Sequence, residues 1–236
     1  KLRSLGDERI NTKDSRGYLY QDFLRFVYGL DAKAVVMENV PESINYGDMN
    51  IPEIVCASLE DHGYLAYWTI LNSADFGVPQ LRERVFVLAV KKGMEREIQL
   101  PVPTNKCTDD YQTAYQRRFE SMSKKAHFKM PNSSEMAVQP WVTVGDALSD
   151  LPVLFPTADS KYRAIKLNEE MEYRTDAQNS FQEIMRNWYG MESFGSSANA
   201  FRNNKRDFGI FEKMHQGDNY IDACKIADEL FEQEAR

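Results

Sequence analysis

A chain of 236 residues, 42% hydrophobic and 28% charged, has apolar mass enough for one large domain or two small ones. No apolar run reaches bilayer-spanning length, and Lys1-Leu2-Arg3-Ser4-Leu5-Gly6-Asp7 lacks the apolar core of a signal peptide. A membrane or secreted protein is therefore set aside and a cytoplasmic location expected. The net charge of −7 argues against a protein that coats nucleic acid, but residues 216–236 hold six acids against two bases and supply −4 of it, leaving a nearly neutral remainder with local basic clusters.

Asp14-Ser15 offers N-cap oxygens, and after Gly17 the residues Leu19, Phe23, Phe26, Val27 and Leu30 recur with helical spacing, which predicts one amphipathic helix. Ala34-Val35-Val36-Met37 is too short for a helix and rich in Val, and reads as a strand buried on both faces. Pro41 closes it, having no N–H to give to a ladder. Helix then strand is half of a parallel α/β unit, and in open parallel sheets the ligand crevice lies outside the carboxyl ends of the strands. Glu38 stands at such an end and is a site candidate. It reads equally as an acid capping the helix that begins near Ile51. After a loop to Asn50, Pro52 marks that helix, Ile54, Val55 and Leu59 give it an apolar face, and His62-Gly63 stops it. Tyr64 to Leu71 and Arg84 to Val90 are aromatic and β-branched, predicting a second and third strand. The segment between them is too short for a crossover helix, so these two are expected to be antiparallel neighbours.

From Lys91 onward Pro101, Pro103, Pro131 and Pro140 punctuate a polar stretch with bases at Arg117, Arg118, Lys124 and Lys125, read as a long, partly ordered connection. Thr143-Val144-Gly145-Asp146 has the form of a capping box opening a short helix that Leu151-Pro152 ends. Beyond Asp159 comes a second, polar region. It holds a helix-like piece from Phe181 to Trp188, a Gly/Ser/Asn-rich loop from Gly195 to Asn204, and a final amphipathic helix from about Tyr220. Cys56, Cys107 and Cys224 are odd in number and scattered, with no C-x-x-C pair and no His at ligand spacing. Neither a disulfide framework nor a metal site is expected.

Three segments now stand together: Asp14-Ser15-Arg16-Gly17-Tyr18-Leu19-Tyr20, Glu38-Asn39-Val40, and Gln80-Leu81-Arg82-Glu83-Arg84. Alone, each has an ordinary reading as a cap and turn or as a solvated charge cluster at a strand edge. In this order and spacing they resemble the DNA (cytosine-5) methyltransferases. Trp141-Val142-Thr143-Val144-Gly145-Asp146-Ala147-Leu148-Ser149-Asp150-Leu151-Pro152 is similar to the segment that bacterial members carry just before their target-recognition domain.

The resemblance implies an α/β fold: part of an S-adenosylmethionine-dependent, Rossmann-like sheet over 1–100, a connection over 101–158 and an incomplete, mixed target-recognition region over 159–236. It implies a reaction in which a cysteine thiolate attacks C6 of a cytosine flipped out of duplex DNA, so that C5 takes the methyl group of S-adenosylmethionine. Glu38 matches the carboxyl that protonates or hydrogen-bonds N3, Arg84 the guanidinium at the pyrimidine O2, and Arg82 its partner arginine. Asn39 would hold the adjoining loop on the cofactor side, and Leu19 matches a position lying against the adenosyl group.

The chain also departs from the family pattern. None of its cysteines follows a proline, as the family's nucleophile does, and no Phe-x-Gly-x-Gly occurs. The expectation is the middle of a bacterial restriction–modification methyltransferase, inactive as this chain alone and working with the missing part of the enzyme. A non-catalytic DNA-binding subunit and an RNA cytosine-5 methyltransferase stay open as alternatives. For DNA contacts, Gln80 is drawn from the third segment, and Arg202, Asn203, Lys205 and Arg206 from the polar, basic stretch Ser196 to Arg206. That stretch reads equally as a surface loop between helices.

Overall fold

The computed structural model describes residues 18–94, 97–108, 111–152, 170–188, 195–196, 205–215 and 217–234. The chain divides into two compact units, Lys1–Leu148 and Ser149–Arg236. The first opens with α1 (Leu19–Gly29), β1 (Ala34–Asn39), a 3₁₀ turn (Pro41–Asn45), α2 (Ile51–Asp61), β2 (Tyr64–Asn72) and β3 (Glu83–Lys91), in the α/β order expected. The sheet order is β1-β3-β2, and β3 pairs antiparallel with both neighbours. β1 and β2 therefore run the same way, joined through α2, with β3 inserted between them. The carboxyl ends of β1 and β2 and the start of β3 meet at one edge, where Asn39 faces Val85 and Asn72 faces Glu83.

Successive strand residues point to opposite faces, and here one face makes the core. Val35 and Met37, Val85, Val87 and Ala89, and Ala66, Trp68 and Ile70 are buried with Ile51, Val55, Cys56 and Leu59 of α2 and Leu24 and Val27 of α1. Burial also pushes the Cys56 thiol far above its ordinary range, with the charges of Glu53 and Glu60 adding to the effect. Asn50 caps α2, its Oδ1 accepting from the Glu53 N–H at 3.1 Å, so the cap reading of Glu38 falls away.

Two expectations about faces are corrected. β1 is buried on one face only: Val36 is 66% exposed, because β1 lies at the sheet edge and no described element covers its outer side. On α1 the inward stripe is Tyr20, Phe23, Leu24, Val27 and Tyr28, leaving Leu19, Phe26 and Leu30 exposed. Tyrosine supplies this face because its hydroxyl finds partners. That of Tyr28 lies 2.8 Å from Ser58 Oγ while its ring stacks on His62, centroids 3.7 Å apart.

The stretch read as a connection is part of the first unit, which extends to Leu148 rather than to the expected boundary at 100. Leu100, Met122 and Ala137 are buried, β4 (Asn105–Lys106) pairs with β5 (Gln139–Pro140), and α3 (Phe119–Met122) packs Met122 into the core. Residues 127–129 lie along the outer edge of β2. The Trp68 N–H donates to the His127 carbonyl, the Lys129 N–H donates to the Trp68 carbonyl (both 2.9 Å), and Phe128 packs edge-on against Trp68. The expected capping box is present before α4 (Val144–Leu148): the Asp146 N–H donates to Thr143 Oγ1 and the Thr143 N–H to Asp146 Oδ2, at 3.0 and 2.9 Å.

In the second unit α5 (Ser180–Arg186) forms where expected, capped by Asn179, and Arg186 grips the buried Asp150 carboxylate through Nε and Nη2 at 3.0 and 2.8 Å. β6 (Glu170–Met171) pairs with β7 (Gly195–Ser196), and α6 (Lys205–Lys213) and α7 (Tyr220–Glu234) follow. The loop expected over 195–204 thus begins as a strand, and its residues 197–204 lie outside the described ones.

A clamp joins α2 to the segment after α3. His127 Nδ1 lies 2.9 Å from Glu53 Oε1 and its Nε2 3.0 Å from Glu60 Oε2, while Trp68 Nε1 donates to Glu53 Oε2 at 2.6 Å. Burial opposes charge on Glu53 and His127 alike. The bonds from Trp68 and His127 outweigh it for Glu53, whose carboxyl falls below its ordinary 4.5, and those to Glu60 and Glu53 outweigh it for His127, which rises above 6.5. A carboxyl depressed by folding adds stability above its unfolded value and loses it as pH falls. An imidazole raised by folding adds stability below its unfolded value and loses it as pH rises through the folded one. The clamp is strongest between about 4.5 and 6.5. Thermal unfolding of the native chain and of His127→Gln across pH should show their midpoints furthest apart in that window and converging on either side; a constant gap would contradict the clamp.

Candidate active site

Register decides which side chains share a face at the carboxyl edge. Glu38 stands opposite Phe86, and Arg84, two residues before Phe86, projects from the same side of β3, so the two side chains are diagonal neighbours on the face away from α2. Arg84 Nε lies 2.8 Å from Glu38 Oε1. The contact is one of charge, since Nε is buried and its N–H meets no acceptor in line, while Nη1 donates to the Glu83 carbonyl at 2.7 Å. The Arg84 side chain is 20% exposed and the Glu38 side chain 52% exposed. A fixed guanidinium thus stands behind a carboxyl that solvent or a ligand can reach.

The neighbouring residues hold this pair in place. Asn39 Oδ1 accepts from the Val40 N–H at 2.8 Å, closing the turn as the chain leaves β1 toward Pro41. Asn72, to which the sequence alone assigns no role, organises the far side. Its buried Oδ1 accepts from the N–H groups of Ala74 and Arg82, both at 3.2 Å, and so ties the two ends of the 73–82 loop together. A signal for it exists in the sequence, since an Asn closing an apolar strand is suited to capping the turn after it. Gly77 turns within this loop at φ +78°, and a Cβ there would meet Asn105 Oδ1 at 3.2 Å, which fits the one residue without a side chain. The loop is braced from outside by Trp141, whose Nε1 donates to Asp75 Oδ1 at 2.8 Å, and by the Thr104 N–H, which donates to the Asp75 carbonyl at 2.9 Å. Burial raises both the Asp75 and Glu83 carboxyls, against the hydrogen bonds that Trp141 and Thr113 give them, and the charge of Asp75 raises Glu83 further.

The structure brings Glu38, Asn39 and Arg84 together at this edge, with Arg82 exposed where the loop enters β3 and Gln80 exposed two residues earlier. Leu19 is the exposed first residue of α1. Asp14-Ser15-Arg16-Gly17, Arg202 and Asn203 lie outside the described residues, whereas Lys205 and Arg206 form the first turn of α6 rather than the end of a loop. Among the described residues no group of three metal-ligating side chains converges, and no helix is long and apolar enough to cross a membrane.

Comparison with known proteins adds the family. Residues 4–231 match the family model of the C-5 cytosine-specific DNA methylases. A candidate type II methyltransferase of Oceanobacillus iheyensis, M.OihORF3336P, is 46% identical over 239 residues, covering 100% of this chain and 52% of that protein. Type II methyltransferase M.AquIA of a Picosynechococcus species is 30% identical over 179 residues, covering 72% of this chain and 63% of the relative. The chain thus spans between half and two thirds of the length of these relatives. Among solved structures, a candidate DNA modification methyltransferase encoded within an Escherichia coli prophage overlaps 72% of this chain and 39% of its own, at 24% identity and a TM-score of 0.45.

The exposure of Glu38 separates its local chemistry from stability. Glu38→Gln keeps the side chain's size, and an ion pair open to solvent on one side contributes about 0–1 kcal/mol. Denaturant unfolding of the variant should therefore stay within about 1 kcal/mol of the native chain; a loss well beyond that would make the pair a structural one.

Proposed function

Because the chain belongs to the C-5 cytosine-specific DNA methylase family, we propose that the protein it comes from methylates C5 of cytosine in a short duplex DNA site, as the modification half of a restriction–modification pair. The observation that carries this reading is the Glu38–Arg84 pair, a reachable carboxyl backed by a held guanidinium at the carboxyl edge of the sheet. When a thiolate adds to C6 of an extrahelical cytosine, electron density moves into the ring toward N3 and O2. A carboxyl that holds a proton at N3 and accepts from the exocyclic amine lowers that barrier, and Glu38 takes this role. Arg84 meets the developing charge at O2, with Arg82 beside it. Asn39 keeps the Glu38 backbone fixed by closing the turn behind it.

S-adenosylmethionine, when bound, supplies the electrophilic methyl group. The chain offers contacts of suitable chemistry for it: the exposed apolar face of Leu19 and the amide of Asn39, whose Oδ1 is engaged by Val40 and whose Nδ2 is left as donor. Cys56 does not serve as nucleophile, being fully buried with its thiol pushed far up, and none of the three cysteines follows a proline. We assign the thiolate to a segment outside these 236 residues. For recognition we propose Arg202, Asn203 and Arg206 as readers of base edges, Lys205 as a phosphate contact, and Gln80 as a contact beside the flipped base.

The test measures transfer from labelled S-adenosylmethionine to mixed-sequence duplex DNA. In the intact enzyme, Glu38→Gln should lower turnover by a factor on the order of 10² to 10⁴ while duplex binding persists; unchanged turnover refutes the role. The 236-residue chain by itself should incorporate nothing, and robust incorporation would return the nucleophile to one of its own cysteines.

A further inference from the structure

Gln116-Arg117-Arg118-Phe119-Glu120-Ser121-Met122-Ser123-Lys124-Lys125 carries four cations and one acid in a chain whose net charge is −7. Its apolar residues are anchors. Met122 is buried, and Tyr115 and Phe119 pack against the core, so the cations stand on a held base rather than on a loose strap. Arg118, Ser121 and Lys125, at i, i+3 and i+7, line one side of a cleft of about 320 Å³. Asn45, Gly47, Asp48, Met49 and Asn50 line the other side, on the segment by which the chain leaves β1 and Glu38.

The charges in this cleft are not balanced. Among the described residues no carboxylate lies within ion-pair distance of Arg118 or Lys125, and Asp48 is the one acid in the lining against two cations. Arg118 is steadied by neutral groups instead. With its amide oriented to satisfy its hydrogen bonds, Asn45 accepts from Arg118 Nη2 at 3.3 Å, and the Tyr115 ring lies 5.8 Å from the guanidinium carbon. The Ser121 hydroxyl donates inward to the Arg118 carbonyl at 2.8 Å, leaving the two side-chain cations as the charged donors. Gly47, at φ +64°, has open space where a Cβ would stand, so the opposite wall lets a ligand approach the backbone.

We propose that this cleft is a phosphodiester site, taking a backbone phosphate of duplex DNA between Arg118 and Lys125. The inference rests on the methyltransferase reading for its ligand and deepens it, because it assigns a sequence-independent anchor to the first unit. A guanidinium and an ammonium lining one cleft, against the single acid Asp48 and with neither cation in an ion pair among the described residues, suit a phosphate oxygen pair better than a cationic ligand. They carry no base-reading geometry, so the contact positions DNA without selecting sequence.

The test is equilibrium binding of the 236-residue chain to cognate and random duplexes over a salt series. For Arg118→Ala/Lys125→Ala we expect weaker binding to both duplexes by the same factor and a salt slope smaller by about 1 for each phosphate that is no longer neutralised. Arg118→Lys/Lys125→Arg keeps the charge and should keep the slope, and Lys33→Ala, at the other end of β1, should change nothing. Thermal midpoints of all variants are measured alongside. Four outcomes overturn the proposal: no duplex binding by the unaltered chain, an unchanged slope in the alanine variant, equal weakening by the charge-retaining variant, or a loss confined to inorganic phosphate or to an acidic peptide while duplex binding stays intact. Duplex binding by this chain and methyl transfer by the intact enzyme are read separately, so failure here and failure of the methyl-transfer reading are separate results.

Discussion

The candidate site depends on the insertion of β3, antiparallel, between two strands that run the same way. A strand has a period of two, so pairing β3 one residue out of register would turn Arg84 to the core face and leave Glu38 beside a hydrophobe. The register is fixed by what the other parity buries: Val85, Val87 and Ala89 have their partners in Ile70, Trp68 and Ala66 on β2, and Val87 and Ala89 face Met37 and Val35 on β1. Packing on one face therefore aims the charges on the other. No separate interaction is needed to bring Glu38 and Arg84 together, which suits a pair whose own attraction is modest in half-exposed surroundings.

The 73–82 loop delivers the arginines to that register. Asn72 draws its two ends together, and Asp75 is held from outside by Trp141, sixty-six residues later in the chain. The segment after β3 is thus part of the scaffold at this edge. It also closes the outer edge of β2, where His127, pinned between Glu53 and Glu60, lays its backbone beside Trp68. Trp68 is buried on both counts, by its ring against Phe128 and by its ladder against 127–129.

Much of this was legible in the residues. The short connection between the second and third strands required them to be antiparallel, and the alternation along β3 placed Arg84 with Glu38 once the register was known. Other features were not legible, for identifiable reasons. Ala34-Val35-Val36-Met37 reads the same whether one face or two is covered, because burial of the second face belongs to neighbours and not to the run itself. The prolines at 101, 103, 131 and 140 suggested a linker, yet they punctuate a segment whose few apolar residues, Leu100 and Met122 among them, reach the core. α6 was hidden by Gly209 at its centre, which lowers local helix preference, and Gly209 lies close to Leu230 of α7. Phe26 and Leu30 fit the helical stripe of α1 by hydropathy alone, a measure that passes over the two tyrosines that do the packing.

Cys56 gives the fold an internal reporter. Its sulfur is sealed between α2 and the sheet, with burial and two nearby carboxylates opposing the thiolate, while Cys107 and Cys224 are partly open to solvent. Alkylation is a reaction of the thiolate, so the two open cysteines react from the native state and Cys56 reacts when α2 lifts away. The lag between the fast and slow labelling phases then reads the opening equilibrium of the layer behind β1 and β3. The burial that holds this thiol far above its ordinary range makes it a clock for the scaffold that holds Glu38 and Arg84.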